Sequence, residues 1–410
     1  MGQKTSRRMG RGEFIAMTAV LFSFVAFSVD SLLPAFPAIC AELCPTNPND
    51  AQFLVAAFMT GLGLGTFVVG PLSDTLGRRN VLLAGGIAYC VAAFVAYVSD
   101  SLALILVARL VQGFGAAGPR VVGLAIVRDQ YKGPEMARIV SFATTVFTVI
   151  PAIAPLMGQA IAAAFGWRAI LLTYCLFGAV IMAWFALRQP ETLADENRRS
   201  FHPKELWFTF KEVMGHSVVR LAILAQILAF GSVASIIMSV QPIFDRTFGR
   251  GDTFALYFGS VAAIFALSSI LNAQLVRRIG MQKLAERSML FSCLSSLTIL
   301  SIFLIGQPQG DLAFFLFLPW MLSVFFATGM IMGNLNAVAL EPVGHVAGMA
   351  ASLVGGLGTA GAMVLAVPVA QQFDGSPRPM MAGIAFFATT GYLTLRRLRR
   401  VQARTAYKSR

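Results

Sequence analysis

Apolar runs long enough to cross a lipid bilayer recur along nearly all of the 410-residue sequence, and the segments between them are mostly short. A spanning helix needs about 20 predominantly apolar residues. Twelve stretches meet that need, at roughly 14–36, 51–72, 80–98, 102–127, 138–163, 168–188, 218–243, 254–276, 286–306, 312–336, 343–371 and 379–396. In lipid every backbone N–H and C=O must be satisfied inside the spanning element, which leaves helices and closed barrels. A barrel would show short alternating segments instead. The expected fold class is therefore an all-α membrane protein with twelve transmembrane helices. The 57% hydrophobic and 12% charged composition fits that class.

The formal charge of +13 raises the question of nucleic acid, and the position of the charges answers it. With both termini placed inside, the inner segments hold Lys4, Arg7, Arg8 and Arg11, then Arg78 and Arg79, Arg128, Lys132 and Arg138, the group from Arg188 to Arg220, Arg277 to Arg287, and the basic C-terminal tail. The outer loops keep Arg168, Arg246, Arg250 and Arg378. This is the positive-inside pattern of a multi-pass plasma-membrane protein with cytoplasmic ends. No nucleic-acid partner is expected.

Look-alike signals at the N-terminus do not alter the reading. Met1-Gly2 with Ser6 fits a myristoylation pattern, Ser6-Arg7-Arg8 a twin-Arg export signal, and Cys40 a lipoprotein cysteine. The first apolar run is longer than a signal-peptide core, contains Asp30 and is followed by eleven further runs. The five cysteines make no metal pattern, and only Cys40 and Cys44 are placed to meet an oxidising compartment.

The longest polar interval, 189–217, divides the chain near its middle. Three regions are expected: an N-terminal six-helix half at 1–190, a cytoplasmic linker at 191–217 and a C-terminal half at 218–410. Within the linker, Phe201 to Met214 mixes Phe, Leu and Trp with Lys and Glu, as a surface helix would. Leu72, Asp74, Thr75 and Gly77 align at constant offset with Leu275, Arg277, Arg278 and Gly280, which suggests pseudo-symmetric halves. Parallel repeats of this kind hold substrate near the bilayer midplane.

Charges inside the spans are the functional candidates, since each costs about 2.5–3.5 kcal/mol at the membrane centre on insertion scales. Asp30 is the one carboxylate well inside an apolar run, and Arg109 and Arg120 are the clear basic counterparts. Their eleven-residue separation puts the two arginines about 20° apart around one helix. Gln112, Gly113 and Ala116 lie close to the same face. Ser23 shares a face with Asp30, and the depths of Asp30 and Arg109 match. Either the two form a static pair, or Asp30 is a titratable coupling site whose ionisation depends on burial, on Arg109 and on substrate. For Arg120 two readings stand: snorkelling toward the inner surface, or attraction of an anionic or electron-rich substrate.

The turn Gly70-Pro71-Leu72-Ser73-Asp74-Thr75-Leu76-Gly77-Arg78-Arg79 resembles the loop between helices 2 and 3 of the major facilitator superfamily. With Ser28-Val29-Asp30-Ser31-Leu32-Leu33-Pro34, Arg109-Leu110-Val111-Gln112-Gly113, Ile126-Val127-Arg128-Asp129, Gly166-Trp167-Arg168 and Pro190-Glu191-Thr192-Leu193, the chain looks like the bicyclomycin/chloramphenicol-resistance (Bcr/CflA) branch of its drug:proton antiporters. The match is dense in the first half and thinner in the second, where Leu340-Glu341-Pro342 and Gly344-His345 carry it. The resemblance implies proton coupling at Asp30 and Arg109 and an inner gate at Gly70, Asp74, Gly77, Arg78 and Asp129. The antiporter pattern of the fifth span is reduced to Pro155 and Gly158, with Ile150 and Gln159 where glycines belong.

Ser23, Phe27, Gln112, Gly113, Arg120, Met157, Met238, Gln241 and Asn334 are the expected substrate-cavity residues, a soft apolar wall with a few polar groups. No GxxxxGK[ST] run and no histidine cluster occurs, so no nucleotide, metal or other cofactor and no enzymatic activity is expected. The chain reads as a monomeric exporter of small hydrophobic or amphipathic compounds, with protons and lipid as its other partners. A transporter dedicated to one metabolite and a transport-dead sensor remain as alternatives.

Overall fold

The structure is a computed structural model that describes residues 9–44, 46–198 and 203–408. Lys4, Arg7, Arg8, Arg199 and the Met1-Gly2 pattern lie outside the described residues. Each expected apolar run coincides with helix. In the first part these are α1 (Arg11–Asp30), α2 (Phe36–Leu43), α3 (Phe53–Leu76), α4 (Arg78–Val98), α5 (Leu102–Gln130), α6 (Gly133–Phe165) and α7 (Arg168–Arg188). The remainder are α8 (Pro203–Gly215), α9 (Ser217–Pro242), α10 (Phe254–Ile279), α11 (Met281–Ser301), α12 (Gly310–Leu340), α13 (Ala347–Gln371) and α14 (Arg378–Lys408). Ten apolar helical stretches are long enough to span a bilayer among the described residues, one of them, Gly310–Gln371, comprising both α12 and α13.

The first run departs from expectation in one respect that matters later. It is not one helix: α1 stops at Asp30, and the chain passes through a turn and a short 3₁₀ segment, Leu33–Ala35, before α2 begins. The cause is Pro34, which lacks the N–H that would bond the Asp30 carbonyl and whose ring crowds it. Ser31 closes the broken end, its N–H reaching Phe27 O at 3.3 Å and its Oγ donating to the same oxygen at 2.6 Å.

The described residues fall into two compact units: those up to Leu32 with those from Ala57 to 198, and those from Leu33 to Ala56 with those from Pro203 onward. In the first, α1 packs on α5 and α6, and α4 packs on α5 and α7. The foot of α1 is tied to the end of α7, where Arg188 donates to both Glu13 carboxylate oxygens at 2.7 Å. Backbones approach closely here: a Cβ on Gly113 of α5 would lie 1.9 Å from Phe58 O of α3, so only glycine fits.

In the second unit α9 packs on α12, α13 and α14, and α11 on α12 and α14. Small and apolar side chains, among them Ala225, Ala229, Ala285, Ile331 and Leu335, fill that packing. Phenylalanines make a separate cluster, with the Phe244 ring 5.4 Å from Phe314 and 5.5 Å from Phe254 in edge-on geometry. Cys40 and Cys44 are buried free thiols; the Cys40 Sγ donates to Pro48 O at 3.0 Å, and burial pushes the Cys44 thiol up to about 12.

Candidate functional site

At the break of α1 the structure brings together Asp30, Ser28, Ser31 and the arginine of α5, without the static ion pair that is one of the two readings. Arg109 is fully buried. Its Nη2 donates to Ser28 O at 2.8 Å and its Nη1 to Gln112 Oε1 at 2.7 Å, while the Phe58 ring lies 4.5 Å and the Tyr174 ring 5.7 Å from the guanidinium carbon. No ion pair joins Asp30 to Arg109 among the described residues. A helix end leaves carbonyls without partners and carries the negative end of the helix dipole. Arg109 answers that need, capping the interrupted α1 from a neighbouring helix.

Two tyrosines hold the same break. Tyr89 of α4 shares a hydrogen bond with Ser28 Oγ at 2.5 Å, and Tyr174 of α7 shares one with Ser31 Oγ at 2.7 Å. From α6 the approach is by backbone: a Cβ on Gly158 would stand 1.8 Å from Ser31 O. Pro155, buried one turn earlier, interrupts the α6 ladder beside it. Asp30 itself is buried, and its carboxyl group has no hydrogen bond or ion pair among the described residues.

Most of the expected cavity wall is occupied by packing in this structure. The Ser23 hydroxyl donates back to Ala19 O at 2.8 Å, and Phe27 packs edge-on against Tyr174 with centroids 5.5 Å apart. Gly113 serves the helix contact already described. Gln112 is buried against Arg109, with its amide nitrogen lacking a partner among the described residues. Met238 and Gln241 are buried in α9, and Asn334 is held between Asn272 Oδ1 at 2.7 Å and Met330 O at 2.8 Å. Where a hydroxyl or amide of this set is held, as at Ser23 and Asn334, its partner lies on its own or an adjacent helix. Arg120 and Met157 are the two that remain exposed.

A second cluster gathers where α3 meets α4. Gly77 takes φ +94°, ψ 149°, a left-handed backbone that turns one helix directly into the next, and Gly280 repeats it at φ +85°, ψ 149° between α10 and α11. Gly70 contributes its carbonyl, which accepts from Ser73 Oγ at 2.8 Å. Arg78 is paired with Asp74 one turn before it and donates to Asp129 Oδ2 at 3.3 Å and to Ser73 Oγ at 2.7 Å. Thr192 Oγ1 also donates to Asp129 Oδ2, at 3.0 Å.

The residue that organises this cluster is Glu191, which sequence reasoning quoted within a motif without giving it a role. Its carboxylate accepts from the backbone N–H of Arg78 and of Arg79 at 3.0 Å, the unpaired donors at the start of α4, and from Thr192 and Leu193. Arg79 returns the contact, donating to Gln189 O and Ala186 O. Ser28, Ser31, Tyr89 and Tyr174 were missed for the same reason: hydroxyls far apart in sequence carry no spacing signal for meeting.

Known proteins share this arrangement of sequence and fold. A bicyclomycin resistance protein homolog of Haemophilus influenzae is 28% identical over 378 residues, covering 90% of this chain and 91% of the relative. A chloramphenicol resistance protein of Pseudomonas aeruginosa is 34% identical over 177 residues, 42% of each chain. Among solved structures, the xylose transporter XylE from E. coli in a partially occluded inward-open conformation superposes with a TM-score of 0.71 at 11% identity, covering 94% of this chain and 96% of that one. The sequence profile of the Major Facilitator Superfamily matches residues 17–367. With the Gly70–Arg79 turn, the all-α fold and the multi-pass apolar helices all in agreement, the chain belongs to that superfamily of membrane transporters.

Proposed function

We propose that the chain is a proton-coupled secondary transporter of the Bcr/CflA type, exporting small hydrophobic or amphipathic compounds by alternating access. The relatives named for bicyclomycin, chloramphenicol and multidrug resistance support the substrate class. The observation that carries the coupling role is Asp30, a buried carboxyl group at a break in α1 that no hydrogen bond or ion pair holds among the described residues. Such a group is available to bind and release a proton, and a proton is the coin of an antiporter. Arg109, Gln112, Ser28 and the two tyrosines fix the backbone around it, so the acid is presented from a rigid frame. The cluster of Asp74, Arg78, Asp129 and Glu191 acts as an inner gate, with Gly70 and Gly77 shaping its turn. Arg120 and Met157 are the readiest contacts for substrate. The reading includes a monomer in the bacterial inner membrane, both termini cytoplasmic, with six-helix halves at 1–190 and 218–410 joined by the 191–217 linker.

Asp30→Asn tests it. Asn preserves size and part of the hydrogen bonding and carries no exchangeable acid proton. In proteoliposomes with an imposed pH gradient, the variant is expected to lose uphill transport while keeping substrate binding and downhill exchange. Undiminished uphill transport at several pH values would remove Asp30 from the coupling.

A further inference from the structure

Among the described residues, several guanidinium groups drawn into the protein are matched to partners. Arg109 has Ser28 O and Gln112, Arg79 has Gln189 O and Ala186 O, Arg78 has Asp74 and Asp129, and Arg188 has Glu13. Arg120 departs from that pattern. It sits ten residues before the end of α5, about 15 Å along the helix, and it forms no hydrogen bond or ion pair among the described residues. Its side chain is exposed, although Ala116, Ala117, Gly118 and Pro119 just before it are all buried.

That exposure is not exposure to lipid. The exposed apolar stripe of α5 runs through Leu104, Val107, Leu110, Val111 and Phe114, which lie within about 120° of one another around the helix axis. Arg120 falls outside that stripe, about 80° beyond Leu110 and about 140° from the middle of it, at nearly the azimuth of Arg109. Snorkelling out along the helix is also disfavoured. Side chains on an α-helix lean toward its N-terminus, so Arg120 is directed back along α5 and away from the polar end marked by Arg128 and Asp129. One turn on, a Cβ at Gly123 would touch the Phe22 ring at 3.4 Å, so α1 sets an aromatic ring against α5 on the C-terminal side of Arg120.

We propose that Arg120 is an anion-binding side chain for the transported compound, so that the chain favours substrates bearing a sulfonate, carboxylate or similar anionic oxygen group on an aromatic or apolar body. The planar fork suits two oxygens of such a group, and Phe22 suits the body that carries it. A cation in the interior of a spanning segment is retained at a cost to insertion, which a role in substrate binding accounts for. The inference rests on the export reading above and names its substrate class.

The test uses the full-length purified protein and three naphthalene probes of one scaffold, a sulfonate, a sulfonamide and a trimethylammonium, each permanently in one charge state near neutral pH. Equilibrium binding is measured without a gradient, and gradient-driven export separately. The parent is expected to bind the sulfonate at least tenfold more tightly than the ammonium. Arg120→Gln is expected to lower the sulfonate-to-sulfonamide affinity ratio about tenfold, and Arg120→Lys to keep part of it, because charge remains and the fork is lost. Should the glutamine variant misfold, the lysine variant decides by the same ratio. A ratio unchanged in both variants, or a parent that prefers the ammonium, overturns the proposal and leaves export standing. Charge preference in binding without export of any probe overturns the export reading and leaves the site. Failure of all three probes to bind overturns both.

Discussion

Replacing Gly158 by alanine should disable the chain at the place where α6 supports the break of α1. The added Cβ would stand 1.8 Å from Ser31 O, 2.7 Å from Ser31 C and 2.9 Å from Ser31 Cα. Carbon contacts are comfortable at about 3.5–4.0 Å, so the two backbones must separate by roughly 1.5–2 Å. All three obstructing atoms are main chain, and none can rotate aside as a side-chain tip would. Overpacking costs about 1–3 kcal/mol where side chains can adjust, and this contact belongs at the upper end. Alanine recovers about 0.5–1 kcal/mol through its better helix propensity. The net is about 2 kcal/mol, near a thirtyfold shift in any equilibrium that requires α1 and α6 in contact. Because Ser31 follows Asp30 directly, the displacement falls on the proposed coupling site. The expected outcome is a lower melting temperature in detergent, with uphill transport reduced more than substrate binding. Normal melting and normal uphill transport in Gly158→Ala would show that this backbone contact is not what holds the break in place.

Glu191→Ala should remove the cap of α4; a cap worth about 1 kcal/mol and a dipole contribution of up to about 1 kcal/mol together predict hydrogen exchange roughly thirtyfold faster at the Arg78 and Arg79 amides, with Glu191→Gln intermediate. Exchange at those amides unchanged from the parent would refute the capping role. Asp74→Asn breaks a partly exposed ion pair, an interaction of about 1 kcal/mol or less, so turnover should slow only a few-fold and the population shift toward inward-open, read by side-specific cysteine labelling, with substrate affinity little changed. Strongly weakened binding at constant labelling would instead make that turn part of the substrate path.

How much of this was legible in the sequence follows from the range of each signal. Apolar runs of about 20 residues are local, and each one lies on helix, the first of them broken after Asp30. The Gly77 and Gly280 turns were legible as a repeat and share their backbone angles. The charges that meet near Arg78 were legible because a family resemblance had already grouped Asp74, Arg78 and Asp129. What escaped was set by three-dimensional approach. Matching depths suggested an Asp30–Arg109 pair, yet Pro34 ends α1 at Asp30 and creates a different demand, free carbonyls, which Arg109 meets. The proline was visible; its effect on which group the arginine would choose was not. Likewise Asn334 reads as a cavity amide by type and depth, and only the neighbouring α10 reveals its partner Asn272. Composition gives 34 phenylalanines but cannot say that Phe244, Phe254 and Phe314 interlock.

The 29 residues of α5 form a strut about 44 Å long at 1.5 Å per residue. Near one end Arg109 grips the broken α1; at the other Asp129 meets Arg78 and Thr192. A helix resists stretching and bending, so a change in the α1 carbonyls reaches the far face of the membrane as a tilt or a slide of one rod. The compliance of that rod is concentrated at Pro119, where a backbone bond to Gly115 is missing. Stiffness at this single position therefore sets how much of a movement at the Arg109 end arrives at the charged end and how much is lost on the way.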